Sequence, residues 1–210
     1  MDTKRKKIWI ASGIILFVLL ADQLLKIWIK TNMMLGEEYR IADWFIIHFT
    51  ENPGMAFGME FGGDYGKLIL SLFRLVAIGF MIWYLFRSIQ KGTNKYFLVA
   101  LSLIVAGALG NLIDSAFYGM IFNHSVHQVA TLFPPEGGYA GFLHGRVVDM
   151  FYFPIINGHY PEWVPKVGGN HFIFFRPVFN LADSAITTGV FVLIIFYKRA
   201  FETEENNKQN

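Results

Sequence analysis

Four stretches of this chain are apolar on every side for about 18 residues or more, the length at which a helix crosses the hydrocarbon core of a bilayer. They lie at about residues 8–28, 68–86, 96–116 and 177–197. Ionisable residues interrupt them sparingly: Asp22 and Lys26 late in the first, Arg74 in the second, Asp114 closing the uncharged run of the third, and Asp183 in the fourth. Pro177 suits the first turn of a helix, where its missing N–H costs nothing. Two polar segments separate these runs, about 32–67 and 117–176. In the first, Trp44 to Phe49 is aromatic and β-branched enough for a short strand, and Glu51 to Gly58 is rich in turn residues. The second is long and dense in Gly and Pro, and a loop of that length is usually functional. The expected fold is an all-α membrane protein: four transmembrane helices carrying a small extracytoplasmic β-rich cap and an extended outer loop, with residues 1–210 forming a single membrane domain.

Composition strengthens that reading. Of 210 residues, 54% are hydrophobic and only 16% charged, against about 25% charged in soluble chains, so one soluble domain could not hide its apolar side chains. Cysteine is absent, which excludes disulfides, thiol nucleophiles and Cys-ligated metals. The net charge of +2 conceals a sorted distribution. Lys4 to Lys7, then Arg87, Lys91 and Lys95, then Lys198 and Arg199 all fall on one side of four alternating spans. The positive-inside rule makes that side the cytoplasm and puts both termini there. The basic start is set aside as a cleavable signal peptide, because no small-x-small site and soluble domain follow it. The acidic tail with Glu202, Glu204 and Glu205 is a solvated end, and no nucleic-acid partner is expected.

Ionisable groups inside spans are costly and become functional candidates by default. At a helical rise of about 1.5 Å per residue, Asp22 sits about 21 Å and Asp114 about 27 Å from the cytoplasmic starts of their helices, and Asp183 about 9 Å below its outer end. All three converge on the outer leaflet. Asp22 and Lys26 are i,i+4 and share a face, which favours a structural ion pair. Gly107, Asn111 and Asp114 share another face, while Ala106 and Gly110 permit close helix approach. Asn180, Asp183 and Thr187 form a polar stripe on the fourth helix. Asp149, in the apolar setting of Gly145-Arg-Val-Val-Asp-Met-Phe151, needs a partner or a raised pKa. Two carboxylates sharing one proton can hold a water between a base and an acid, which is aspartic-protease chemistry. On this ground alone each intramembrane aspartate is as readily structural as functional.

Other chemistries fit less well. All six His residues lie in the outer segments with irregular spacing, no His-Glu-x-x-His helix exists, and no span carries a haem-ligating His. No metal and no cofactor are therefore expected. A Ser–Lys pair from Ser184 or Ser102 would need Lys26, which Asp22 engages. A proton-coupled transporter relaying through Asp22, Asp114 and Asp183 lacks a repeated half and leaves Asp149 without a role.

Five blocks in order carry a resemblance: Asp22-Gln-Leu-Leu-Lys26, Asn52-Pro-Gly-Met-Ala-Phe57, Gly110-Asn-Leu-Ile-Asp114, Val147-Val-Asp149 and Phe179-Asn-Leu-Ala-Asp-Ser-Ala-Ile186. Together they resemble bacterial lipoprotein signal peptidase, signal peptidase II, from the first span to the fourth. The resemblance implies an aspartyl endopeptidase of the bacterial cytoplasmic (inner) membrane. It would cut the signal peptide from diacylglyceryl-modified prolipoproteins just before the lipidated cysteine, with its active site near the outer face. Implied partners are lipidated prolipoprotein signal peptides, membrane lipid and globomycin-type inhibitors. Asp149 and Asp183 correspond to the catalytic pair. Asn52, Gly54, Asn111, Asp114, Asn180 and Ala182 fall on motif positions around substrate and pair, and Asp22 with Lys26 matches the first-helix motif.

Two departures stand out. The family pattern has Arg directly after the Asp of the third-helix block, where this chain has Ser115. The outer stretches on both sides of Val147 to Met150 are also longer than the compact pattern. Arg146 is the nearest cation to take over the missing interactions.

Overall fold

The computed structural model describes residues 3–53, 63–174 and 176–201. Among the described residues three helices are long and apolar enough to cross a membrane: α1 (Thr3–Asn32), α2 (Gly63–Gln90) and α3 (Lys95–Ile113). α3 continues through a π-helical turn at Asp114–Tyr118 into the short α4 (Gly119–Ile121). The fourth apolar helix, α5 (Leu181–Ile195), has 15 residues, and α6 (Tyr197–Phe201) follows it.

α5 begins later than the run from Pro177 suggests. Val178–Phe179 is drawn into a strand, and Asn180 then caps the helix: its side chain accepts the N–H of Asp183 while the Asp183 carboxylate accepts the N–H of Asn180. Pro177 thus precedes a strand and does not open the helix. Asn94 caps α3 in a similar way, accepting from the N–H groups of Tyr96 and Phe97.

The outer segments build a four-stranded antiparallel sheet in the order β1 (Glu38–Ala42), β2 (Phe45–Asn52), β3 (Val147–Tyr152), β6 (Val178–Phe179). A separate hairpin pairs β4 (Ile156–His159) with β5 (His171–Phe174). Register places Thr50 opposite Asp149 and Asn52 opposite Val147, while Phe151 pairs with Phe179. Three sequence-distant segments therefore meet beside the helix ends.

α3 is the central post, flanked by α1, α2 and α5. Its closest partner is α5, for a steric reason: a Cβ at Gly107 would collide with the carbonyl oxygen of Ala182. Two apolar clusters lie at opposite ends. One joins Ala11, Leu85, Ile89, Phe97, Leu101 and Val105, and the other joins Ile29, Phe49, Tyr118, Phe122, Val148 and Met150 beneath the sheet. The polar residues sit between them along α1 and α3. Outward faces of α1 and α2 expose large apolar side chains such as Phe17, Leu24, Phe73 and Val76, as lipid-facing helices do.

The long outer loop is stitched to the end of α3. The π turn displaces carbonyl groups from the helical ladder, and those of Ser115, Ala116 and Gly119 accept the N–H groups of Gly145, Leu143 and Ala140. At Gly145 the approach is so close that a Cβ would strike the carbonyl oxygen of Asp114. The loop is thereby carried back to the start of β3.

Candidate active site

Asp149 lies in the middle of β3, 4% exposed, between the fully buried Val148 and Met150. Asp183 lies in the first turn of α5. One amide ties them together. Asn180 Oδ1 accepts the N–H of Asp183 at 2.9 Å, which turns Nδ2 the other way, where it donates to Asp149 Oδ1 at 2.7 Å and to Asn111 Oδ1 at 3.1 Å. Asn111 is oriented by the same logic. Its Oδ1 also accepts from the ammonium of Lys26 at 2.9 Å, a group with donors only, so its Nδ2 faces Asp183 and donates to Oδ1 at 2.8 Å.

Behind this layer lies a buried charge cluster. Lys26 Nζ is 2.9 Å from Asp22 Oδ2 and 2.8 Å from Asp114 Oδ2, with all three side chains at most 1% exposed. The i,i+4 pair of Asp22 and Lys26 is present, but it is two-thirds of a triad. Each of its aspartates grips the backbone one residue before a member of the front pair. Asp114 Oδ2 accepts the N–H of Val148 at 3.2 Å, and Asp22 Oδ1 accepts the N–H of Ala182 at 2.9 Å. Buried carboxylates persist only when paired and fully hydrogen-bonded, and here the remaining lone pairs are used to place peptide groups.

Gln23 completes the cluster. Its Nε2 donates to Asp114 Oδ1 at 2.9 Å and Asp22 Oδ2 at 3.1 Å, while Tyr118 donates to its Oε1 at 3.1 Å. Sequence reasoning gave Gln23 no role, although a polar residue between Asp22 and Lys26 inside a span was a usable signal.

Arg146 stands elsewhere. Its guanidinium, 42% exposed, lies 3.5 Å from Glu51 Oε2, and its N–H donates to Tyr139 at 2.7 Å. Glu51 in turn binds Lys30 at 2.5 Å and Ser125 at 3.1 Å, and Lys30 sits among the rings of Phe49, Phe122 and Tyr139. This second ionic group, one helical turn beyond Lys26, was not anticipated. Ser115, where the family pattern has Arg, is 2% exposed and donates to the carbonyl of Asn111 at 3.0 Å. Asn52 closes β2 opposite Val147. Ala182 is fully buried against α3. Gly54 lies outside the described residues.

Electrostatically the front pair is uneven. Burial, and after it the negative charge of Asp183, push the Asp149 carboxyl up to about 7, against partial relief from the Asn180 hydrogen bond. A carboxyl with that value exchanges its proton near neutrality, as an acid–base catalyst must. Among the described residues no group of three or more His, Asp or Glu side chains is arranged to hold a metal ion.

Comparison with known proteins agrees in direction. Residues 14–199 match the family model described as signal peptidase (SPase) II. The lipoprotein signal peptidase of Porphyromonas gingivalis is 53% identical over 191 residues, covering 90% of this chain and 83% of the relative. That of Amoebophilus asiaticus is 41% identical over 200 residues, covering 93% and 80%. Two bacterial membrane enzymes solved by the in meso method, at 2.3 and 1.9 Å resolution, superpose with TM-scores of 0.57 and 0.56 at 27% and 28% identity. They cover 90% of this chain each, and 87% and 92% of their own lengths. With the family model spanning nearly the whole chain and relatives this similar, the chain belongs to the signal peptidase II family of membrane peptidases.

Proposed function

We propose that this chain is an aspartyl endopeptidase that removes the signal peptide from diacylglyceryl-modified prolipoproteins, cutting just before the lipidated cysteine, with Asp149 and Asp183 as its catalytic pair. The observation that carries this reading is the single amide of Asn180, which contacts Asp149 through Nδ2 and Asp183 through Oδ1. Two carboxyl groups held by one short side chain can flank one water molecule. One carboxylate takes a proton from that water as its oxygen attacks the scissile carbonyl carbon, and the partner acid gives its proton to the carbonyl oxygen. The newly protonated carboxyl then gives its proton to the amide nitrogen as the C–N bond breaks, while the other takes a proton back from a gem-diol hydroxyl, which leaves the two carboxyl groups as they began.

The remaining residues frame the pair. Asn111 and Asn180 orient it, Asp22, Lys26 and Asp114 fix the backbone behind it, and Asn52, Gly54 and Ala182 border the substrate path. Arg146, presented by Glu51 near the outer end of β3, supplies a cation for the substrate in a chain with Ser115 in place of Arg. The protein crosses the bacterial inner membrane four times as a single membrane domain, with both termini cytoplasmic and the pair near the outer face. Its substrate arrives from within the bilayer. The diacylglyceryl group stays in lipid while the signal helix lies between helices, so apolar contact provides most of the binding. Purified protein should cleave a lipidated prolipoprotein, should be blocked by globomycin, and should leave the unlipidated precursor intact; equal cleavage of both precursors would contradict the reading.

A further inference from the structure

Arg74 is the only charged residue in the apolar run 68–86, and a cation inside a span is costly unless something uses it. Its neighbours on α2 define where it points. Lys67, Ser71, Arg74 and Ile78 share one helical face by their three- and four-residue spacing. Lys67 Nζ donates to the carbonyl of His144 at 2.6 Å, Ser71 Oγ to that of Leu143 at 3.1 Å, and Ile78 is buried. The loop they hold is bonded to Ser115 and Ala116 at the end of α3. Arg74, one turn below Ser71, is therefore half-buried toward the polar site, and Asp183 is the carboxylate whose charge acts on it.

The two aspartates meet different surroundings. Asp183 Oδ1 accepts from Asn111 at 2.8 Å and its Oδ2 from the N–H of Asn180 at 3.4 Å. It also sits in the first turn of α5, where the helix dipole favours negative charge. Asp149 lies in a strand between buried apolar neighbours, and the charges acting on it are Asp183 from α5, Lys26 from α1 and Asp114 from α3. Asp22 stands behind Lys26. Asp183 thus has two donors, a helix N-terminus and the charge of Arg74 on its side, whereas at Asp149 burial and the neighbouring carboxylate outweigh the Asn180 donor and the Lys26 charge and favour the neutral acid.

We propose that Arg74 is a positioning residue that holds Asp183 as the carboxylate, making Asp183 the base toward water and Asp149 the acid toward the scissile carbonyl. This rests on the reading of Asp149 and Asp183 as the reacting pair. In the forward step Asp183 takes a proton from water as the oxygen–carbon bond forms, and Asp149 protonates the carbonyl oxygen to give a gem-diol. In the second step Asp183 passes its proton to the amide nitrogen as the C–N bond breaks, and Asp149 recovers a proton from the gem-diol.

The test is the pH profile of kcat for full-length protein acting on a lipidated prolipoprotein, comparing wild type with Arg74→Gln, Arg74→Met and Arg74→Lys. Asp149→Asn and Asp183→Asn serve as controls. Loss of the cation should move the acidic limb upward by about one pH unit, with KM little changed, and Arg74→Lys should keep the wild-type limb. Arg74→Met removes an intramembrane charge and so favours insertion, which supplies a folded variant should the Gln form fail. The proposal is overturned if the acidic limb stays in place without the cation, if activity falls equally at every pH, or if Lys shifts the limb as far as Gln. Activity surviving in either control would instead overturn the reading of the pair itself.

Discussion

Asp114 Oδ2 accepts the backbone N–H of Val148 at 3.2 Å, so a carboxylate on α3 sets the strand one residue before Asp149. Asp22 does the same for α5 through Ala182, one residue before Asp183, and Lys26 bridges the two supporting carboxylates. The rear triad is a jig for the front pair. Lys26→Met would leave two buried carboxylates without their cation. The expected cost is about 3–5 kcal/mol of stability, seen as a large fall in Tm. Lys26→Met combined with Asp22→Asn and Asp114→Asn should recover much of that stability without recovering activity, because neutral amides do not restore the same grip on both backbones. Full activity in the triple variant would argue against the jig.

Asn180 joins both aspartates and caps α5. Asn180→Ala removes the donor to Asp149 and frees the first turn that carries Asp183. A displacement of about 1 Å at reacting groups can cost about 100-fold in rate, and a loss of that order in kcat is expected. The lost cap alone would lower stability by about 1 kcal/mol, so a folded but nearly inactive protein is the predicted outcome.

The Asp149 carboxyl, at about 7 against an ordinary 3.8, makes a signed prediction. The folded protein favours the neutral form, so Asp149 withholds stability progressively as pH rises from about 4 to about 7, and no further change follows above that. Asp149→Asn keeps an acceptor for Asn180 and never ionises. Its Tm should match wild type below pH 4 and exceed it by a few degrees at pH 8. An equal Tm for the two proteins across this range would contradict the assignment of burial as the dominant cause. Catalysis that needs a neutral Asp149 should likewise decline as pH rises through about 7.

Close packing of α3 on α5 brings Asn111 to Asp183. A Cβ at Gly107 would meet the Ala182 carbonyl and the Ile186 side chain. Gly107→Ala should therefore cost about 1–3 kcal/mol through overpacking and lengthen the Asn111–Asp183 contact. Activity falling further than the loss of folded protein explains would show that the helix spacing sets the pair; a wild-type rate per folded molecule would contradict it.

Much of this was legible in the sequence because the signals were local. Apolar runs gave the helices, i,i+4 spacing gave Asp22 with Lys26, and the expected strand from Trp44 to Phe49 overlaps β2 from Phe45 onward, Trp44 itself lying in the turn before it. The missed features depend on pairing between distant segments. Lys26 serves Asp114 as well as Asp22 because α1 and α3 cross there, which no single-helix spacing reveals. Pro177 looked like a helix start until Val178 and Phe179 found β3 as a partner. Lys30, two residues past the expected end of the first span, was given no role, yet Glu51, Ser125 and three rings enclose it. The β4–β5 hairpin lay in a stretch whose Gly and Pro content masked two short strands.

The central claim is that Asp149 and Asp183 together perform the cleavage. Its most direct measurement is the rate at which purified protein releases the signal peptide from a lipidated prolipoprotein, for wild type, Asp149→Asn and Asp183→Asn, each shown to be folded by its Tm. Cleavage by wild type with none detectable in either folded variant is predicted. Wild-type rates in either variant would contradict the account.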